Sequence, residues 1–368
     1  MDHKIYGIDH WSITDAIAIS QGKLKATYNE VSKEKLAKSA QNVQAIVDSG
    51  ATVYGVSTGF GPLCDTFISK DDTRKLQENL LISHAVGVGN PIKKEISKLM
   101  LISKLHALAK GFSGISIPTF ERILWFLEND VIPVVPEQGS VGASGDLAPL
   151  SHLFLPLLGE GEVWFNNEIK PTREVLNHFN LEPIELQAKE GLGLINGTQF
   201  ILAHALFGLD RMNYLLDLAD VIGSMSLEAY SGLKSPFMAE LHEVRPYEGT
   251  KLVAKRIRQI LEGSEIIDNH DFPRVQDPYS LRCMPQVHGA SRNAWMHLRD
   301  MAEIELNSVT DNPIVLDEKT AISGGNFHGQ PMAMVLDYAT LAAAELGNIS
   351  DRRQYLLLEG KHGLPKLL

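Results

Sequence analysis

Cysteine is almost missing from this chain: Cys64 and Cys283 are the two in 368 residues. That excludes a disulfide framework and points to a reducing, cytoplasmic compartment. Positive charge is also scarce, 34 Lys and Arg against 45 Asp and Glu, for a net charge of −11. With no basic block, neither nucleic acid nor an anionic membrane surface is an expected partner. Long apolar runs are lacking too. The longest uncharged stretch, residues 191–209, carries Asn196, Thr198, Gln199 and His204 and reads as a buried segment rather than a membrane span. The opening MDHKIYGIDHWSITDA has no apolar core of the signal-peptide kind. Neither G-x-G-x-x-G nor G-x-x-x-x-G-K-[ST] occurs. The 13 histidines form no H-E-x-x-H and no cluster with cysteine, so neither nucleotide nor metal is expected. Internal repeats and alternating strand–helix patterning are absent, which argues against a doubly wound sheet.

What is present is an ordinary globular composition, 44% hydrophobic and 21% charged, in a length that suggests two domains. Leu36, Ala40, Val43 and Val47 recur at helical steps, with Ser32 placed to cap and Gly50 to stop. A strand-like run at 51–54 enters GVSTGFGP. Further helices are expected at about 71–86, 91–110 and 118–129, and a hairpin at 160–172 around Asn166-Asn167. The character then changes. Leu202, Leu206, Leu209, Met212, Leu216 and Ala219 mark one helical face in a proline-free stretch. Leu336, Ala339, Ala343, Leu346 and Ile349 mark another. A loop-rich insert at 269–289 separates the two. Helices this long predict a bundle, with partner subunits covering what one core cannot. The expected fold is therefore mainly α: a central long-helix bundle at 191–368, preceded by a smaller domain at 1–190 with short β hairpins.

Two serine patterns carry possible chemistry. Gly55-Val56-Ser57-Thr58-Gly59 matches the nucleophile elbow G-x-S-x-G. That motif needs a helix straight after the serine, and Gly59, Phe60, Gly61 and Pro62 follow instead. It reads as a glycine turn, with a serine hydrolase as the alternative of another class. The second is GSVGASGDLAPLSHL, residues 139–153. Three glycines in seven residues make a flexible turn the plain reading. Compressed, however, such a loop brings the amide nitrogen of Gly145 toward the carbonyl carbon of Ala143, an approach glycine permits. Ring closure with loss of water, and dehydration of Ser144, would leave an exocyclic methylene on a five-membered ring. That is an electrophile no ordinary side chain supplies.

Seven stretches together resemble the aromatic amino acid ammonia-lyases, most nearly the histidine-specific members. They are YGVSTGFGP (54–62), NLLISHAVGVG (79–89), GSVGASGDLAPLSHL (139–153), GLGLINGTQ (191–199), VQDPYSLRCMPQVHG (275–289), ELNSVTDNP (305–313) and SGGNFHG (323–329). The resemblance implies that Ala143, Ser144 and Gly145 cyclise to 4-methylidene-imidazol-5-one (MIO). It implies a fumarase/aspartase-type helical homotetramer with shared active sites, and elimination of ammonia from L-histidine to give trans-urocanate. It makes Tyr54 the base that takes the β-proton; phenol serves as a base only as phenolate, a form that positive helix N-termini favour. It gives Arg282 the substrate carboxylate, which a planar fork suits. It gives Tyr279 and Asn196 hydrogen bonds to the ring and its developing charge. Gln276, Asn312 and Phe327 are further pocket positions.

Substrate choice turns on Ser83-His84, since tyrosine- and phenylalanine-specific relatives carry His-Leu or Phe-Leu there. A tyrosine or phenylalanine lyase or an aminomutase is the alternative within the family. Family members continue beyond the point matching Leu368, so a C-terminal helical part and its active-site glutamate are expected to be missing. An apolar patch left bare by that loss would favour association, and an inactive assembly fragment is the third alternative.

Overall fold

The computed structural model describes residues 3–56, 58, 70–269, 275–361 and 363–367. Helix dominates, and the strands are short ribbons: His3–Ile5 with Lys25–Thr27, Val88–Pro91 with Pro136–Gln138, and Ile314–Val315 with Ala321–Ile322. A three-stranded sheet joins Ile132–Pro133, Glu162–Phe165 and Glu168–Pro171. Its hairpin turns at Asn166 and Asn167, both at positive φ (52° and 63°). That is the left-handed pair a two-residue hairpin demands, and asparagine tolerates it.

The expected early helices form as Glu30–Ser49, Lys70–His84, Lys94–Leu108 and Ile117–Glu128. Two local expectations need correction. The first of these helices is capped by Asn29, whose side chain accepts from Ser32 N; Ser32 lies inside the helix. Residues 51–56 carry no strand but irregular backbone and a turn.

Spatial grouping divides the chain at other points than a cut between 190 and 191. One unit holds residues 1–207 and 301–333, the other 208–300 and 334–368. The first unit packs Tyr6, Trp11, Phe120, Phe126 and Phe154 into its core, with Trp11 stacked on His106 at 4.2 Å. The Lys94–Leu108 helix is buried on all sides from Leu99 onward.

The second unit is built around Leu227, Phe237, Val253, Ile257, Leu281 and Met284. Three long helices, Gln199–Ala229, Met284–Leu306 and Gln330–Leu358, run through the division between units. The first helix buries its predicted face from Leu202 to Leu216. The last behaves differently: Ala339 and Ile349 are buried, whereas Leu336 and Leu346 line a groove of about 530 Å³ with Leu215, Leu218 and Ile222. A helical period names an apolar stripe but not how much of it one chain covers.

A polar network crosses this apolar unit. Asp220 and His288 are both fully buried, and His288 Nδ1 lies 2.9 Å from Asp220 Oδ1. Arg292 Nη2 donates to Asp220 Oδ2 at 2.6 Å and Arg256 Nε at 3.0 Å. Arg353 Nη1 lies 3.2 Å from His288 Nε2. A guanidinium can only donate, so Nε2 accepts and the Nδ1 proton goes to Asp220.

Candidate functional site

The segment 139–146 is a loop held at four points. Ser140 Oγ donates to Asp146 Oδ1 (2.7 Å) and accepts from Gly142 N (3.1 Å). Gly142 O accepts from Gly329 N (2.9 Å), and Asp146 N donates to Gly197 O (2.8 Å). Asp146 Oδ2 accepts from Phe200 N and Ile201 N, both at 3.0 Å, in the first turn of the Gln199–Ala229 helix. A carboxylate satisfies the orphan N–H groups there and meets the positive end of the helix. Burial pushes the Asp146 carboxyl upward, and the Ser140 hydroxyl and the two amides only partly offset it.

Gly145 is seated against a second turn. Its φ is +78°, and a Cβ at this position would stand 2.5 Å from Gly197 O and 3.0 Å from Gly197 N. Only glycine fits both the dihedral and the space. Asn196, 5% exposed, directs Nδ2 toward Ser144 O at 3.4 Å, while its Oδ1 has no partner among the described residues. A buried polar atom left without a protein partner is the exception in folded proteins, and an ordered water or a bound group is what satisfies such an atom. Gly145→Ala is expected to cost about 1–3 kcal/mol, from positive φ and overlap together. Denaturant unfolding measures it; an unchanged midpoint would show that the turn tolerates a side chain.

The other side chains singled out by sequence fall as follows. Tyr54 is half-buried in the turn at 54–56, where Gly55 N donates to Thr58 Oγ1 (3.2 Å). Ser57 lies outside the described residues, so the elbow reading has no geometry to rest on. Ser83 and His84 end the Lys70–His84 helix. His84 Nδ1 lies 2.9 Å from Leu80 O. A carbonyl accepts only, so Nδ1 carries the proton, and in the tautomer this selects for an uncharged imidazole Nε2 is the acceptor.

Asn312 is buried, precedes a cis bond to Pro313, and accepts with Oδ1 from Gly324 N (2.7 Å) and Ser323 Oγ (3.3 Å). It thereby pins the loop that carries half-buried Phe327. Ala143, Ser144, Gly145, Tyr54, His84, Asn196, Asn312 and Phe327 thus all belong to the first unit.

Gln276, Tyr279 and Arg282 belong to the second unit. Tyr279 is 72% exposed, and the Arg282 guanidinium sits 4.5 Å from its ring centre. Arg282 Nε is buried with no partner among the described residues. Asp277 beside them is spent on structure, accepting from Leu233 N at 2.6 Å.

Sequence reasoning missed the buried charges behind the Ser144 loop. Lys104 donates to Asn196 O at 2.8 Å, and Lys189 bonds Asp311 Oδ2 at 2.6 Å with both side chains buried. Glu305 accepts from the Thr198 hydroxyl, and burial raises its carboxyl. For Lys104 a signal existed: a lone lysine inside the apolar helical run LMLISKLHAL. Among the described residues no cluster of His, Cys, Asp and Glu could hold a metal ion.

This arrangement has counterparts of known kind. The chain is 43% identical over 345 residues to the histidine ammonia-lyase of Streptococcus gordonii, covering 94% of this chain and 67% of that one. The histidine ammonia-lyase of Streptococcus pyogenes serotype M49 is likewise 43% identical, over 95% of this chain and 69% of its own. The chain therefore spans about two thirds of the length of the curated relatives it matches.

Among solved structures, tyrosine aminomutase from Streptomyces globisporus superposes with a TM-score of 0.92 at 32% identity, covering all of this chain and 73% of that one. Histidine ammonia-lyase from Trypanosoma cruzi superposes at 0.85 with 37% identity, covering 97% and 67%. The helical fold, the glycine-seated Ala-Ser-Gly loop and a match to the family described as aromatic amino acid lyase over residues 11–368 agree: the chain belongs to the aromatic amino acid lyase family.

Proposed function

We propose that this protein is a MIO-dependent ammonia-lyase that converts L-histidine to trans-urocanate and ammonia. The observation that carries the reading is 43% identity, over 94% of the chain, to an enzyme named histidine ammonia-lyase. The residues at the loop fit the ring it requires. Gly145 is seated where a Cβ cannot go, and Asn196 offers a buried side chain with an unused oxygen beside Ser144. Ala143, Ser144 and Gly145 would form the ring, which supplies an electrophile able to take electron density from the substrate amino group.

The chain's own residues would do the rest. Arg282, whose Nε has no partner among the described residues, would hold the substrate carboxylate. Tyr54 would take the β-proton, and Tyr279 and Asn196 would donate to developing negative charge. Gln276, Asn312 and Phe327 would complete the pocket. His84 supports imidazole as the group read: its Nε2 acceptor complements a ring N–H, and Ser83 beside it adds a hydroxyl. Leaving a buried ring nitrogen unpaired would cost about 1–3 kcal/mol, which favours a polar reader for a polar ring. A second reading, a tyrosine or phenylalanine lyase or aminomutase, draws on the TM-score of 0.92 to tyrosine aminomutase. A homotetramer accords with the apolar groove along Leu336 and Leu346, and a cytoplasmic location with a free thiol at Cys283.

Incubation with histidine, tyrosine and phenylalanine in turn, with product absorbance followed, tests the substrate. Preference for tyrosine would overturn the role given to Ser83 and His84. Tyr54→Phe is expected to lower kcat by about a hundredfold or more while KM stays within a few-fold, because a base acts only in the transition state. Equal loss in both would make Tyr54 a packing residue.

A further inference from the structure

Lys104 is a buried cation behind the Ser144 loop to which the proposed reaction gives no work. It lies in the middle of the Lys94–Leu108 helix, where every residue from Ser103 to Leu108 is buried, and is itself 2% exposed. Its Nζ donates to the backbone carbonyl of Asn196 at 2.8 Å, the one hydrogen bond it makes among the described residues. An ammonium so placed is costly: taking it out of water carries a penalty that one carbonyl does not repay. Methionine would pack in the same helix without that penalty. Packing alone therefore gives no reason for a lysine here.

The carbonyl it holds does give one. The Asn196–Gly197 peptide is the wall against which Gly145 sits, with Gly197 O and Gly197 N 2.5 and 3.0 Å from the place a Cβ would take. Gly197 O also accepts from Asp146 N at 2.8 Å. Asn196 itself ends the short Glu190–Ile195 helix in an extended conformation (φ −87°, ψ 121°). Its carbonyl faces Lys104 while its side-chain amide reaches Ser144 O. A peptide is planar, so anchoring the carbonyl orients the Gly197 N–H as well.

We propose that Lys104 is a positioning residue: by holding the Asn196 carbonyl it fixes the Asn196–Gly197 peptide against Gly145 and aims the Asn196 amide at Ser144. The surroundings leave it available for this one contact. Lys189, whose charge acts on Lys104, is committed to Asp311 and Ser113 O, and Asp146 to Ser140 and the 199–229 helix. Burial lowers the Lys104 ammonium to about 7; Lys189 pushes the same way, and Asp311 and Asp146 oppose it. Charged or neutral, the amine still donates. The inference rests on the proposed ring at Ala143–Gly145 and predicts that the ring forms poorly when its wall is loose.

The experiment is a time course of intact mass for the unsubstituted protein and Lys104→Met, with circular dichroism to establish folding. The unsubstituted chain is expected to lose two waters. Folded Lys104→Met should lose them at least about tenfold more slowly, because small misplacements of a reacting loop are expensive. The fraction that does mature should show kcat lowered about tenfold with KM within twofold, since the substrate's own contacts are untouched. Full and prompt water loss with unchanged kcat in folded Lys104→Met would overturn the proposal. If Lys104→Met does not fold, Lys104→Gln, whose shorter stem draws its N–H donor back from the Asn196 carbonyl, is measured in the same way. Slowed maturation there supports positioning, and unchanged maturation and kcat overturn it. No water loss in the unsubstituted protein would instead overturn the proposed function on which the inference rests.

Discussion

Ser144→Ala is expected to abolish ammonia release and to leave the fold in place. Alanine lacks the hydroxyl whose loss makes the methylene, so the chain should keep the mass of the unmodified sequence, whereas the parent should be lighter by two waters. Ser144 lies in an exposed bend and, among the described residues, anchors the loop through its backbone carbonyl, which Asn196 reaches at 3.4 Å. The substitution leaves that carbonyl, Gly145 and the Asp146 contacts in place, so stability should move by less than about 0.5 kcal/mol. The fall in kcat should be about a thousandfold or more, because the electrophile acts on the barrier itself. An unshifted parent mass in folded protein would sink the cofactor assignment. Residual activity near the parent's would sink the role of Ser144 even if the mass were shifted.

Asp220→Ala should be the most damaging substitution in the second unit. Asp220 is fully buried and takes hydrogen bonds from His288, Arg292 and Arg256. Removing one partner of a buried charge pair costs about 3–5 kcal/mol, because the charge left behind is uncompensated. Here Arg292, 5% exposed, would be left with Asp217 at 2.8 Å, itself partly open to water. Denaturant unfolding at pH 8 measures the loss, and a cost under about 1 kcal/mol would mean the network contributes little.

The same network predicts acid sensitivity. Burial pushes the His288 imidazole below its usual range, and the Asp220 hydrogen bond offsets this only in part, with Arg353 adding to the depression. The unfolded chain therefore takes up the proton first as pH falls. The stability contributed by neutral His288 is whole above about pH 6.5 and declines below it. Burial also raises Asp220, but the His288 bond and Arg292 outweigh it, and the carboxyl ends below its usual range. Its contribution is present above about pH 4 and is lost at lower pH. A two-step fall in stability is expected, and His288→Gln should remove the upper step. A single step near pH 4 in the parent would contradict it.

Much of the fold was legible because its signals are local. Periodicity placed the four early helices within a few residues, and Asn166-Asn167 predicted a hairpin through the dihedrals asparagine tolerates. Capping was less legible: Asn29 and Ser32 are both good caps three residues apart, and only backbone geometry selects one. The strand expected at 51–54 failed because β-propensity needs a partner strand, and the structure supplies a turn instead.

At the candidate site, sequence determined the residue types and their order: an Ala-Ser-Gly loop flanked by glycines, Asn196 before Gly197, and a histidine at the end of a helix. Combined matching of seven stretches made the family recognisable, since each stretch alone reads as an ordinary turn. What only the tertiary structure decided is who stands behind whom. Gly145 is pressed against Gly197, more than fifty positions away in the chain, and Lys104 reaches Asn196 from the core of another helix. Residues 301–333 rejoin the first unit after a long excursion, which brings Asp311 to Lys189 and Gly329 to Gly142. Such contacts leave no periodic trace in a sequence. They arise where burial removes water from polar groups and each group must then find its partner wherever the fold places one.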